Sequence, residues 1–458
     1  MGDDPGASAR PPGGGINEVA SPALSPGPPG DGPIPPGRSS VLRPLRIRDF
    51  RLLWAGMTIS LLGDGIYLVA IAFQVLEISN SAAALSIVGV AWTLPQVGFL
   101  LVAGVVSDRI DRRMVMVAAD ALRAVAIAAV GLLSVADVLE LWHIVVLVAL
   151  YGIGDAFFMP AFSAIVPDIV PRALLTEANS LAQTVRPMAL RLFGPALGGF
   201  LVHVSSPGGA FLVDALTFVI SGLCIALIRH RTVRRAGEPA SMMTDIKEGF
   251  AFVRAHAWLW GSLLAASIGL LCFFGPVEVL VPFLVKNNMG GNAGDFGLIL
   301  SAGGVGSILA SLVIGRWGLP RRQVTLMYTS WSLGTFAIAF FAVARTPWEG
   351  VLAGVAMGAC FAAGQVVWGT LLHRHVPGKL LGRVSSVDWM VSMALTPVSF
   401  ALVGPIVAAV GAKATIAAAG VLGGSAVLAC LFIKGVRDLE RTRLASGRAE
   451  PERQREPL

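Results

Sequence analysis

Charge is scarce in this chain. Only 14% of its 458 residues are charged, against about 25% in an ordinary water-soluble domain. Combined with a 55% hydrophobic share, this excludes a single soluble core, because the apolar residues fall into separate runs of bilayer-crossing length, ~20 residues each. Cysteine is equally sparse. Cys224, Cys272, Cys360 and Cys430 all lie inside such runs and follow no metal-ligand spacing, which leaves small apolar packing residues rather than a disulfide framework or a metal centre. The six histidines are scattered, and no His-Glu-x-x-His helix exists. There is no Gly-x-x-x-x-Gly-Lys-Ser/Thr loop, so the chain carries no ATP-driven motor of its own, and no cofactor is expected. The net charge of +7 is spread between the apolar runs, which argues against a nucleic-acid partner.

What is present is an all-α integral membrane pattern. Twelve apolar spans lie near 52–76, 82–106, 114–135, 141–163, 181–204, 209–229, 257–284, 296–315, 324–344, 349–372, 388–410 and 414–433. They are called spans 1 to 12 below. Residues 1–45 form a Pro-, Gly- and Ser-rich tail expected to be disordered and cytoplasmic, without the h-region of a signal peptide. Residues 46–229 hold six spans. The linker 230–256 follows, and its second half, 242–256, has the pattern of an amphipathic helix lying on the membrane surface. Residues 257–435 hold six more spans, and 436–458 form a basic cytoplasmic tail. Arginine and lysine cluster in alternate connections: Arg109, Arg112 and Arg113; Arg172; Arg229, Arg231, Arg234 and Arg235; Arg316, Arg321 and Arg322; Arg374, Lys379 and Arg383. The other connections have only Lys286, Arg345 and Lys413. Positive charge marks the cytoplasmic side, so both termini are expected inside. Arginine greatly outnumbers lysine, a bias of high-GC bacterial coding, and the bacterial inner membrane is the expected location.

One short loop stands out. Gly104-Val105-Val106-Ser107-Asp108-Arg109-Ile110-Asp111-Arg112-Arg113 joins spans 2 and 3 as a tight charged hairpin, and its small residue is expected to let two helices approach. The Arg112-Arg113 pair returns as Arg321-Arg322 after span 8. The connection Val170-Pro171-Arg172-Ala173-Leu174-Leu175 is echoed by Val376-Pro377-Gly378-Lys379-Leu380-Leu381, six spans later. Matching loops at this interval predict two parallel six-helix repeats related by an axis along the membrane normal.

The loop 104–113 resembles the signature of the major facilitator superfamily between its second and third helices. Phe50-Arg51-Leu52-Leu53-Trp54, Ser60-Leu61-Leu62-Gly63-Asp64, Asp120-Ala121-Leu122-Arg123 and Pro167-Asp168-Ile169-Val170-Pro171-Arg172 are similar to the macrolide-efflux and enterobactin-exporter-like bacterial branch. The resemblance covers about 45–435 and implies two pseudo-symmetric six-helix bundles, alternating access to a central site, a small-molecule substrate, protons as the coupling ion and a monomer in the lipid bilayer. In it, Gly104, Asp108, Arg109, Arg112 and Arg113 form a conformational-switch loop in which Asp108 braces one half against the other. Gly194-Pro195-Ala196-Leu197-Gly198-Gly199 in span 5 resembles the antiporter motif, a proline kink with a small-residue patch. Two departures matter: Leu190 stands where the longer motif has glycine, and span 4 lacks the arginine of drug antiporters, Asp155 being its only acidic residue over 141–163.

Ionisable groups at bilayer depth cost about 2.5–3.5 kcal/mol on insertion scales, so each points to function. By the resemblance, spans 1, 4, 7 and 10 line the cavity, which makes Asp64, Tyr67, Asp155, Glu278, Gln365 and Trp368 the proton or substrate candidates. Desolvation disfavours a carboxyl's charged form, a property a proton carrier needs. Capping of kinked helices, or pairing with Arg191, is the competing role for Asp64 and Asp155, and Glu278 fits a gate or a surface position equally. Asp120 and Arg123 are neighbours at i, i+3 on a span expected to be peripheral, hence a structural ion pair. Phe157, Phe158 and Trp368 suit either an aromatic wall or ordinary packing. The reading that results is a non-enzymatic secondary transporter, proton-coupled, exporting a small lipophilic drug, macrolide or siderophore-like compound. An uptake permease or facilitator, and a membrane protein without transport activity, are the alternatives. Gly152-Ile153-Gly154-Asp155 also resembles a piece of the intramembrane aspartyl proteases, whose partner aspartate follows a tyrosine. Here Tyr67, Tyr151 and Tyr328 precede leucine, glycine and threonine.

Overall fold

The computed structural model describes residues 41–229 and 242–440, with the backbone alone at 108, 242–246 and 379. Most of the two expected tails and the first half of the linker lie outside the described residues. The twelve spans are Arg48–Ile78, Ala82–Arg109, Arg112–Val135, Leu141–Ile169, Arg172–Val204, Pro207–Ala226, Ala257–Asn287, Ala293–Trp317, Gln323–Phe340, Pro347–His375, Leu380–Val410 and Ala412–Cys430. Eleven are long and apolar enough to cross a bilayer. The exception is span 9, Gln323–Phe340, whose 18 residues include Thr325, Thr329, Ser330, Ser332 and Thr335. Several of these polar groups are satisfied within the protein: Ser332 Oγ donates to the Gly424 carbonyl at 2.7 Å and Thr335 Oγ1 to that of Trp331 at 2.9 Å.

The helices end for local reasons. A residue before proline is forced out of the helical region, and span 4 stops accordingly at Val170 (φ −113°, ψ 127°) before Pro171. Span 10 stops in the same conformation at Val376 (φ −95°, ψ 125°) before Pro377. The echoed loops thus share a backbone path as well as residues. Ser81 caps span 2, Asp111 caps span 3 and Asn292 caps span 8, each accepting backbone N–H groups that the helix leaves unpaired. Three spans are interrupted. Span 5 contains a π-helical segment, Met188–Phe193, just before Gly194-Pro195, and span 7 contains another at Pro276–Leu280. Span 11 breaks at Leu395, ahead of Pro397. Proline has no N–H to give, and the chain accommodates the lost bond by widening or breaking the turn.

Within each half the helices pack closely, span 1 on span 6, span 2 on span 4, span 3 on spans 4 and 6, then span 8 on span 10 and span 9 on spans 10 and 12. The halves meet along two seams, span 2 with span 11 and span 5 with span 8. Both seams close toward the face away from the described chain ends. There the Ser86 hydroxyl donates to the Phe400 carbonyl, and the Gly404 N–H donates back to Ser86 Oγ at 3.1 Å. A Cβ on Gly199 would lie 2.9 Å from the Ala293 carbonyl oxygen of span 8. Toward the face carrying the chain ends, Gly98 and Gly104 on span 2, Gly315 on span 8 and Gly382 on span 11 all meet open space. The near-face parts of spans 11 and 5, Gly378–Ala394 and Leu175–Pro187, do not pack on spans 2 and 8, so the halves part toward that face.

Three boundaries differ from expectation. Arg43–Arg46 form a 3-10 turn with Pro44 buried, so order begins before residue 46. At the other end Val436 is buried, and the Glu440 carboxylate accepts from Thr325 N at 2.7 Å and Thr325 Oγ1 at 2.8 Å, capping span 9. The linker helix Met242–Ala255 turns its buried side to protein. Gly249 lies against the Arg383 backbone, Glu248 pairs with Arg383, and Val253 is buried. The apolar side that lipid was expected to cover is occupied by the start of span 11.

Candidate functional site

Four helices of the first half bring their polar groups to one point beside the cavity. Asp64 of span 1 accepts from the Tyr151 hydroxyl of span 4 at 2.8 Å. Tyr67, one turn on from Asp64, stacks on Tyr151 with ring centroids 4.7 Å apart. Asp155, one turn on from Tyr151, accepts on both oxygens: from Arg123 Nη1 of span 3 at 3.0 Å and from Trp92 Nε1 of span 2 at 3.1 Å. The other arm of Arg123, Nη2, pairs with Asp120. The Arg123 guanidinium lies over the rings of Phe158 and Phe218, 4.5 and 4.4 Å from their centroids. These contacts hold a cation at a depth where an unpaired one is costly.

This geometry corrects the division between cavity acids and a separate structural pair. Asp120 and Arg123 do pair, but Arg123 also grips Asp155, so span 3 is a partner in the site rather than peripheral to it. Arg123 supplies Asp155 with the cation that span 4 lacks. The reason is visible in the Gly-x-Gly-Asp stretch. Gly152 admits the Trp92 backbone, and Gly154 admits Arg123, whose Cγ would lie 2.6 Å from a Cβ at 154. The two glycines let both of Asp155's partners approach. Asp155 is thereby fully engaged with an arginine and an indole, not sharing a proton with a second carboxyl as aspartyl proteolysis requires.

Asp214 of span 6 belongs to the same neighbourhood and is not among the sequence candidates, although it lies in an apolar run as they do. It is completely buried against Gly63, with Thr217 Oγ1 3.3 Å from Oδ1 and no partner for Oδ2 among the described residues.

Arg191 is not the partner of Asp64 or Asp155. It lies 6.0 Å from the Phe273 ring and lines a pocket between the halves together with Tyr67, Trp92, Glu278, Phe296 and Phe400. Glu278 and Arg191 sit on the two π-helical segments, in opposite halves. Glu278 therefore faces the pocket interior, not the membrane surface.

In the second half, Trp368 is buried between Trp258 and Trp331, with centroid separations of 6.2 Å, and donates Nε1–H to Asp388 Oδ2 of span 11 at 3.0 Å. Phe158 is likewise buried beneath Arg123, so neither ring forms an exposed wall in this conformation. Phe157 faces Phe99 of span 2, and Gln365 is exposed. Asp388 was not singled out because its span begins with a polar, Ser-rich turn.

The charged loop braces its own half. Arg112 donates to the Ala164 carbonyl at 2.9 Å and pairs with Asp168, and Arg113 donates to the Ile228 carbonyl at 2.7 Å. The Asp108 side chain lies outside the described residues, and Arg109 is exposed. The helix approach expected at Gly104 is not made here, because spans 2 and 11 touch near Ser86 and Phe400 and have parted at this level. The span 5 motif is packed on two sides. A Cβ on Gly194 would lie 2.7 Å from Gly65 Cα, and one on Gly198 would lie 2.9 Å from Ile66 Cα, both in span 1, while Gly199 faces span 8. Pro195 lines the pocket.

Twelve helices in two halves, joined along seams 2–11 and 5–8 around a largely apolar pocket that holds Arg191 and Glu278, define a multi-pass membrane transporter of the major facilitator type. The chain belongs to the transmembrane secretion effector family of that superfamily, which matches residues 39–454. Macrolide efflux protein A of Streptococcus pyogenes is 24% identical over 397 residues, covering 85% of this chain and 97% of that protein. Multidrug efflux pump Tap of Mycolicibacterium fortuitum is 29% identical over 406 residues, covering 85% and 96%. Among solved structures, a bacterial homologue of the human lysosomal transporter Spinster, inward-facing and unoccupied, superposes with a TM-score of 0.62 at 15% identity, covering 87% of this chain and 98% of that one. A bacterial homologue of the iron transporter ferroportin, also inward-facing, gives 0.60 at 18% identity over 84% and 98%.

Proposed function

We propose that this protein is a proton-coupled exporter of small lipophilic compounds in the bacterial inner membrane, working as a monomer with both termini in the cytoplasm. The observation that carries the reading is Glu278 in the pocket between the halves, with Asp64 and Asp155 beside it, in a fold closed at one face and open at the other. The similarity to macrolide and multidrug efflux proteins supports the direction of transport. The arginine-rich connections all lie on the open face, and positive charge marks the cytoplasmic side, so the described state is inward-facing. In the cycle, the halves 46–229 and 257–435 rock about the pocket lined by Tyr67, Trp92, Arg191, Glu278 and Phe400. Ligand enters from the cytoplasm, and the seams 2–11 and 5–8 reopen toward the outside. A proton then enters as the ligand leaves. Proton entry supplies about 2.3 kcal/mol per 100 mV of membrane potential. The loop from Gly104 to Arg113 sets the angle between spans 2, 3, 4 and 6 as they move.

Flux in inverted membrane vesicles with an imposed pH gradient, screened over macrolides, siderophores and cationic dyes, tests this reading. Accumulation of at least one class that collapses when the gradient is dissipated is expected. Accumulation that ignores the gradient, or the absence of flux across all three classes, contradicts it.

A further inference from the structure

The geometry points to Asp64 as the carboxyl that takes up and releases the coupled proton, with Asp155 fixed as an ionised anchor for Arg123. The inference deepens the transport reading above by separating two acids that the sequence leaves equivalent.

The argument rests on which hydrogen-bond partners can reverse. At Asp155 both oxygens are occupied by groups that only donate. Arg123 Nη1–H reaches Oδ1 at 3.0 Å and Trp92 Nε1–H reaches Oδ2 at 3.1 Å. An indole N–H and a guanidinium have no acceptor to offer. A proton placed on either oxygen of Asp155 would turn the ionised acceptor of these bonds into a weaker neutral one and leave the buried Arg123 charge with one carboxylate instead of two. Arg123 is in no position to withdraw. It is 2% exposed, its second arm holds Asp120, and Phe158 and Phe218 flank its plane.

Asp64 is placed differently. Its one described partner is the Tyr151 hydroxyl, on Oδ1 at 2.8 Å, and a hydroxyl both donates and accepts. Oδ2 has no protein donor among the described residues. A proton arriving at Oδ2 therefore breaks no hydrogen bond. The step is simple: hydronium gives one proton to Asp64 Oδ2, an O–H bond forms, water leaves, and the carboxylate becomes a neutral acid that still accepts from Tyr151. Release reverses it.

The surroundings let that change of charge matter. Span 3 contributes Arg123, span 4 Tyr151 and Asp155, span 5 Arg186, and span 6 Asp214 to the groups acting on or near Asp64. Span 2 contributes Trp92, without a charge of its own, and Tyr67 on span 1 stacks on Tyr151. Span 7 contributes Glu278 in the pocket that Tyr67 lines. Gly65, the residue after Asp64, packs on Gly194 of span 5, next to the seam with span 8. Neutralising Asp64 thus changes the charge at a helix contact adjoining the moving interface.

Infrared difference spectroscopy on the purified, lipid-reconstituted full chain tests this without a transported ligand. Acidification protonates many of the 28 Asp and Glu residues, and one high-frequency carboxylic acid C=O band, separate from those of solvent-exposed carboxyls, is expected among the changes. Asp64→Asn should remove the band, Asp155→Asn should leave it, and Tyr151→Phe should retain it at a shifted frequency, because the acceptor oxygen has lost its donor. A band that survives Asp64→Asn and vanishes in Asp155→Asn overturns the assignment, as does a wild-type protein with no such band. Tyr151→Phe keeps the test valid should Asp64→Asn fail to fold: an unshifted band counts against Asp64. If the band behaves as expected but an imposed pH gradient moves no macrolide or dye in wild-type proteoliposomes, the exporter reading fails and the proton site stands.

Discussion

At the scale of residues, a single guanidinium organises the buried charge of the first half. Arg123 touches Asp120 and Asp155 and stacks against two phenylalanines, so one cation serves two carboxyls from adjacent helices. Removing one partner of a buried ion pair costs about 3–5 kcal/mol, because the other charge remains in a poorly solvating place. Arg123→Ala should therefore lower the unfolding temperature of the detergent-solubilised protein markedly, whereas Arg109→Ala, at an exposed position, should leave it close to wild type. Equal melting of the two variants would show that the Arg123 network is not structural. The residue-level site was partly legible beforehand. Asp64, Tyr67 and Asp155 are visible in the sequence as polar groups inside apolar runs, where bilayer depth penalises them. Their partners did not stand out. Trp92 and Tyr151 look like ordinary membrane aromatics, and Asp120–Arg123 looks complete as a local i, i+3 pair. Hydrogen bonds between residues 63 positions apart, such as Trp92 with Asp155, leave no periodic trace.

At the scale of elements, the seams decide what can move. Gly199 meets span 8 backbone to backbone, with room for no side chain. Gly199→Val should hold the closed face apart and make it accessible to a membrane-impermeant thiol reagent directed at a cysteine placed at Val202. No gain in labelling over the same cysteine in an otherwise unchanged chain would count against this seam as a gate. Across the same face, Asn80 and Asn287 exchange side-chain hydrogen bonds at 2.7 and 3.1 Å, and Lys286 Nζ reaches the Leu76 carbonyl at 2.6 Å. Cysteines at 80 and 287, in a background freed of the four native ones, should accept a short thiol-thiol cross-linker, and linking them should stop flux. Cross-linked protein that transports at the uncross-linked rate would exclude opening at this point. The helices are readable in the sequence because apolar run length and the charged connections between runs are local signals. The π-helical segments at Met188–Phe193 and Pro276–Leu280 were not, since proline announces a disturbance but not whether the chain kinks or widens. The linker helix shows the same limit: amphipathicity reveals a buried face but not whether lipid or span 11 covers it.

At the scale of the whole molecule, the repeat in the sequence becomes a repeat in structure, with matching loops after spans 4 and 10 and matching seams between the halves. One state is described, sealed near Ser86, Asn80 and Gly199 and open near Gly104 and Gly382. Its counterpart must break the first set of contacts and bring the second set together. That reciprocity is the central claim, and pulsed electron-spin distances measure it directly. With nitroxide labels at 80 and 287 on one face and at Val105 and Trp389 on the other, acidification or ligand addition should lengthen one pair and shorten the other in the same protein. Two distances that stay fixed under every condition, or that lengthen together, would contradict alternating access in this chain.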